Sequence, residues 1–255
     1  MKLAAMEGLY DGQKPAPLVA FGLLNSTKRP GDKDEPFFVE VKIPGLLSLL
    51  ANRKLDSFVP GINDLVYGNQ EFGVTGVEQR MASGRIAVEQ LDRYKKAMKS
   101  GDEMEASSAL SMFDQYKDDL GYGHLKSPTQ AAPPVPITYY SFHIMVILGT
   151  LFPLLFLLVL FFTFKGTIEY QRWLLTINIF SIILSYIASQ AGWVVAEVGR
   201  QPWAIQGLLP VTVANTSIAS SNVQTTFFIF LTIFTLLLIA AIRIMLKQIE
   251  LGPEE

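Results

Sequence analysis

The chain has 255 residues with 21 Lys plus Arg against 23 Asp plus Glu, and its net charge of −2 gives no basic excess to recommend nucleic acid as a partner. It contains no cysteine, which excludes disulfides, iron–sulfur clusters and thiolate haem ligation within it. Mean hydropathy is +0.31, high for a soluble domain, and the apolar residues are segregated. Residues 1–136 hold 16 of the basic and 18 of the acidic residues, which leaves five of each for residues 137–255.

In chain order, the opening MKLAAMEGLY places Lys2 and Glu7 five residues apart, a spacing that alone reads as a solvated helical pair. It lacks the apolar core of a signal peptide, so an external position for the polar half requires delivery by something upstream of Met1. The Gly-, Pro- and Lys-rich stretch from Gly8 to Asp34 predicts the most mobile part of the chain. Alternation in FFVEVKI, Phe37 to Ile43, predicts one short strand, and Pro44 then opens a short helix in GLLSLLANRK. Apolar positions from Gly76 to Lys99 predict a helix that Ser100-Gly101-Asp102 breaks. Asp102, with Glu105 three residues on, then caps a second helix reaching Leu120, so the pair forms a helical hairpin over the membrane core. His124 reads as a surface residue, and the prolines of Ser127 to Pro136 predict a polyproline-like linker.

Three spans follow, at Thr138 to Phe164, Trp173 to Ala196 and Asn222 to Ile242. The second holds 24 residues without an ionisable side chain, which as a helix cross about 36 Å, enough for the hydrocarbon of a bilayer. At its end Glu197 and Arg200 share a helix face, Pro202 stops the turn, and Trp193 and Trp203 suit the headgroup level. From the residues alone this is either an interfacial belt with a snorkelling ion pair or a functional site. Asn178, Ser181, Ser185 and Ser189 form a small polar face that reads as helix packing. The fold class is therefore an all-α membrane protein with three transmembrane helices in this chain, part of a larger bundle, preceded by a mostly helical loop region. The boundary falls between 1–136 and 137–255. Lys165, Arg172, Arg243 and Lys247 sit in short connections that stay cytoplasmic, so residues 1–136 are expected outside and the C-terminus inside.

VAEVGRQPWAI followed by LLPVTVANTS resembles the signature of subunit I of the cytochrome bd type ubiquinol oxidases. The opening MKLAAMEGLY resembles the start of that family's quinol-binding loop, and Ser141-Phe-His-Ile-Met145-Val resembles its methionine-bearing haem helix. DDLGYGHLK and RWLLTINIF fit as well, so the resemblance covers nearly the whole chain but only part of a family protein with nine membrane helices. The chain is accordingly expected to be a C-terminal portion beginning at an internal Met.

The resemblance implies that Lys2 and Glu7 bind quinol, that Met145 is an axial ligand of low-spin haem b, and that Glu197 ligates high-spin haem b with Arg200 as its charge partner. Haem d, or a haem b in its place, takes its protein ligand from outside this chain. His143 stands where many family members carry Arg; it is expected to meet a haem propionate or an interfacial carbonyl and not to ligate iron. The implied activity is oxidation of quinol at the outer face of the bacterial inner membrane and reduction of oxygen to water, contributing to the proton gradient, in a heteromer with subunit II; the fragment alone is expected to be inactive. Two readings compete with it: a non-catalytic quinone-binding anchor and a transporter fragment.

Overall fold

The computed structural model describes residues 1–216 and 218–252; the tail residues Glu254 and Glu255 lie outside them. The chain opens with α1 (Lys2–Met6), and Gly8 turns it sharply at φ +61°. A Cβ at Gly8 would collide with Phe37 and Leu24, so the position needs glycine both for its dihedral and for the close approach. Strand β1 (Leu18–Leu24) then pairs antiparallel with β2 (Phe37–Ile43), from Leu18 opposite Ile43 to Leu24 opposite Phe37, with a bulge between Val19 and Phe21.

Two expectations are corrected here. The structure has a hairpin where a single strand was expected, and the stretch from Gly8 to Asp34 is tied down. Tyr10 donates from its hydroxyl to the Lys28 carbonyl at 2.9 Å. Lys28, 5% exposed, donates to the carbonyls of Asp32 (2.8 Å) and Asp34 (2.5 Å) and lies 4.9 Å from the Tyr10 ring centroid. Asp64 accepts from the backbone N–H groups of Gly12 (2.7 Å) and Gly61 (2.9 Å). Composition reports the entropy that must be lost in ordering such a segment, but not the distant partners that offset it.

Helices α2 (Leu46–Asn52) and α3 (Ile62–Tyr67) lead into the hairpin of α4 (Val77–Ser100) and α5 (Glu103–Tyr116). Gly101 ends α4 at φ +77°, and the Asp102 side chain accepts from the Glu105 N–H at 3.0 Å, as its position predicts. Helix α5 stops at Tyr116 instead of Leu120, and the chain tightens into a 3₁₀ segment, Lys117–His124, packed across α4. Gly84 and Gly123 meet there backbone to backbone. His124 is half-buried. The proline-rich stretch is no extended linker: Pro128–Ala131 forms a 3₁₀ turn and α6 (Val135–Phe164) begins at once, with Pro136 in its first turn where a missing N–H costs nothing.

Helix α6 packs along α7 (Arg172–Glu197), and the short pair β3 (Trp203–Ile205) and β4 (Leu209–Pro210) follows. Trp203 does not sit in an aromatic belt. It is buried edge-on against Tyr122 with ring centroids 4.8 Å apart, in a cluster with Val77, Met81, Leu125 and Ala131. A second core joins α1, β1, α3 and the start of α6 through Ala4, Ala5, Tyr10, Val19, Leu24, Ile62, Val66 and Tyr139. These elements belong to one unit, Met1–Ala214; α8 (Ser220–Leu251) lies in another, Asn215–Glu255, and none of its described residues is buried. Helices α6, α7 and α8 are each long and apolar enough to cross a membrane, and their exposed Leu, Ile and Phe side chains suit lipid or further helices.

Candidate functional site

Three aromatic side chains in the first turns of α6 reach the backbone of β1. Tyr139 donates to the Gly22 carbonyl at 3.2 Å, Tyr140 accepts from the Leu24 N–H at 3.0 Å, and His143 Nε2 lies 2.9 Å from the Val19 carbonyl. The other ring nitrogen of His143, Nδ1, lies 2.9 Å from the Tyr139 carbonyl. Both partners are carbonyl oxygens, which only accept; neutral imidazole donates to one of them and imidazolium to both. The ring is thus held between two backbone carbonyls, one on its own helix and one on β1.

Glu7 is 2% exposed, and its Oε2 has no hydrogen-bond partner. Burial pushes its carboxyl above the ordinary value, while the charge of His143 and a hydrogen bond from the Val19 backbone pull it back. It lines a cavity of about 130 Å³ together with Tyr10, Val19, Glu35, Phe37 and Lys42. Beside it, burial and the nearby Asp32 push the Tyr10 hydroxyl up to about 12, so it stays a donor. Lys2 takes another direction. Its Cε lies 3.3 Å from where a Cβ on Gly199 would stand, which carries the stem onto the turn between Glu197 and Arg200. Lys2 and Glu7 leave the short α1 on different sides, and Lys2 does not line the Glu7 cavity.

Met145 faces α7: its Sδ is 3.2 Å from the position a Cβ on Gly192 would take. At the end of α7 Glu197 Oε2 accepts from Arg200 at 2.5 Å, and the Glu197 side chain is 44% exposed. Gly192 precedes Glu197 by five residues, about 7.5 Å along the helix and roughly 140° around it. The thioether and the carboxylate therefore do not converge on one point. The donor chemistry fits haem iron at each: a neutral thioether on an apolar helix, and a carboxylate with Oε1 open and its charge half-answered by a guanidinium. Among the described residues there is no group of three or more His, Cys, Asp or Glu that would hold a metal ion without such a prosthetic group.

Sequence reasoning named Lys2, Glu7, His143, Met145, Glu197 and Arg200 as site residues. It did not name Val19, Tyr139 and Tyr140, and nothing in LVAFGLL signals that two of its carbonyls and one N–H are held by side chains more than 110 residues later.

Residues 1–253 match the family described as cytochrome bd terminal oxidase subunit I. Over 273 aligned residues the chain is 33% identical to "Cytochrome bd-II ubiquinol oxidase subunit 1" of Escherichia coli (strain K12), covering 99% of this chain and 49% of that relative. It is 29% identical over 210 residues to "Cytochrome bd ubiquinol oxidase subunit 1" of Bacillus subtilis (strain 168), covering 82% of this chain and 32% of that one. Among solved structures, the bd oxidase from Geobacillus thermodenitrificans superposes with a TM-score of 0.58 at 24% identity, over 99% of this chain and 42% of the other, a likeness of fold. The chain spans about half the length, or less, of the relatives it matches.

Proposed function

Because the chain belongs to the cytochrome bd terminal oxidase subunit I family, we propose that it forms the quinol-binding loop and part of the haem-bearing membrane region of a respiratory quinol:oxygen oxidoreductase. The family assignment favours this over a quinone-binding anchor or a transporter. In this reading residues 1–136 are the extracytoplasmic quinol region, residues 137–255 the haem-binding membrane region, and the C-terminus is cytoplasmic in a bacterial inner membrane. Partners are oxidase subunit II, quinol and oxygen.

The observation that carries the proposal is Glu7: a buried carboxylate with an unpartnered oxygen on a small cavity, tied through β1 to the helix that bears Met145. Quinol gives up two protons with its two electrons, and a carboxyl raised by burial accepts a proton near neutral pH better than an ordinary glutamate does. Lys42 supplies a donor on that cavity, and Lys2 supplies a cation on the neighbouring turn. Met145 holds the iron of low-spin haem b by its thioether, Glu197 that of high-spin haem b by its carboxylate, and Arg200 keeps the Glu197 charge tolerable at the membrane boundary. Bound haem supplies one-electron carriage and an iron centre for oxygen reduction; thioether ligation raises its potential. Haem d, or the haem b replacing it, has no ligand assigned in this chain.

The test is the visible spectrum of the full-length complex. Haem bands that added quinol reduces and oxygen reoxidises support the proposal; a complex that binds no haem overturns it.

A further inference from the structure

His143 and Glu7 both border one residue, Val19. His143 Nε2 lies 2.9 Å from the Val19 carbonyl, and Val19 and Glu7 line the same cavity. Strand β1 pairs only with β2, so the peptide groups on its other edge are open to contacts of this kind. Val19 also lines the cavity on which Glu7 Oε2 is left unpartnered. The second nitrogen of His143 is fixed on the Tyr139 carbonyl, so the ring is oriented at both ends.

We propose that His143 is a positioning residue for Glu7: by holding the Val19 carbonyl it fixes the wall of the cavity against which the Glu7 carboxylate rests, and so sets where that carboxylate meets a quinol hydroxyl. The inference rests on the quinol-site reading of Glu7. It gives His143 a task in proton acceptance that is separate from its neighbour Met145. The rest of β1 does not depend on it, because Tyr139 at Gly22 and Tyr140 at Leu24 keep the strand docked on α6. Removing the His143 contact therefore loosens the Val19 end while the hairpin stays in place. Displacement of a catalytic group by a fraction of an ångström is felt in turnover more than in binding.

The experiment compares His143→Phe, which keeps a ring but no donor, with His143→Gln, whose amide N–H still reaches a carbonyl, in the full-length oxidase complex. Quinol-driven oxygen uptake and the low-spin haem spectrum are recorded, each alone and on a Glu7→Gln background. We expect His143→Phe to lower kcat about tenfold with KM moved by less than about twofold, His143→Gln to recover most of the loss, and the haem band to stay where it is. On the Glu7→Gln background His143→Phe should lower kcat no further, since the residue acts through Glu7. Equal losses in both backgrounds, a loss carried by KM, or a displaced low-spin haem band would overturn the proposal. If Glu7→Gln alone leaves quinol oxidation at full rate, the quinol-site reading falls first. If Glu7→Gln is impaired and His143→Phe is not, only the positioning role falls.

Discussion

Met145 Sδ lies 3.2 Å from the point a Cβ on Gly192 would occupy, so the thioether of α6 is seated in a notch that only glycine leaves open on α7. Gly192→Ala should on propensity alone favour the helix by about 1 kcal/mol. We expect it to displace the thioether instead, and to shift or broaden the low-spin haem band without lowering the melting temperature of the full-length complex. Met145→Leu, a near match in volume, should cost less than about 1.5 kcal/mol in packing yet turn that haem high-spin or lower its potential. Redox titration with visible spectroscopy checks both; unaltered spectra would make Met145 a packing residue.

The pH dependence follows from Glu7. Its carboxyl is raised by burial, with His143 and the Val19 backbone opposing. Of the other charged groups on its cavity, Asp11 and Glu35 favour the protonated form and Lys42 the ionised one. The rate of quinol oxidation should fall on the acid side through a value above the ~4.3 of an ordinary glutamate, and Glu7→Gln should lower the rate and remove that limb. Stability carries the matching sign. The folded chain holds its proton more tightly than the unfolded one, so this contribution is present in full below the unfolded value and is lost as pH rises through the folded value. Glu7→Gln should raise the melting temperature relative to the native chain above neutral pH and leave it equal near pH ~4.

Gly84 tests the packing of the polar region. A Cβ there would run into the Asp119 carbonyl and the Gly123 backbone, neither of which is the end of a flexible side chain. Overpacking of this kind costs about 1–3 kcal/mol, more than the ~1 kcal/mol that alanine adds to a helix. Gly84→Ala should therefore lower the melting temperature and expose the α4–α5 hairpin to protease, with haem bands unchanged.

The membrane helices were legible because their signal is local. A run of 24 residues without charge from Trp173 to Ala196 admits few structures, and α7 covers it with one residue to spare at each end. Asp102 was legible for the same reason, since a cap and the N–H it accepts from lie three residues apart. Strand β1 was not. Its residues lack alternation, its bulge breaks the period, and its anchors Tyr139, Tyr140 and His143 are on another element. Lys2 and Glu7 were matched by spacing, but α1 is too short to keep them together, and the fold sends one to Gly199 and the other to the cavity that Val19 lines. Trp203 was placed at the headgroup level by its position after the span, whereas the fold turns it under Tyr122.

Topology is checked at Met104, which is 85% exposed on α5. In the proposed topology the positive connections at Lys165, Arg172, Arg243 and Lys247 stay cytoplasmic and residues 1–136 lie outside. A cysteine in place of Met104 should react with a membrane-impermeant reagent on intact spheroplasts. Reaction only after lysis would reverse the orientation.

Glu197 gives the most direct test of the central claim, because its two readings diverge there. Its Oε2 is held by Arg200 at 2.5 Å, and an exposed pair of this kind contributes only about 0–1 kcal/mol to stability. Glu197→Gln in the full-length complex is therefore expected to leave the protein folded. The measurement is a reduced-minus-oxidised spectrum paired with quinol-driven oxygen uptake. The account predicts that the high-spin haem b signal is lost or altered and oxygen uptake fails, while quinol still reduces low-spin haem b. A normal high-spin signal with normal uptake would contradict it and leave Glu197 and Arg200 as an ion pair at the membrane boundary.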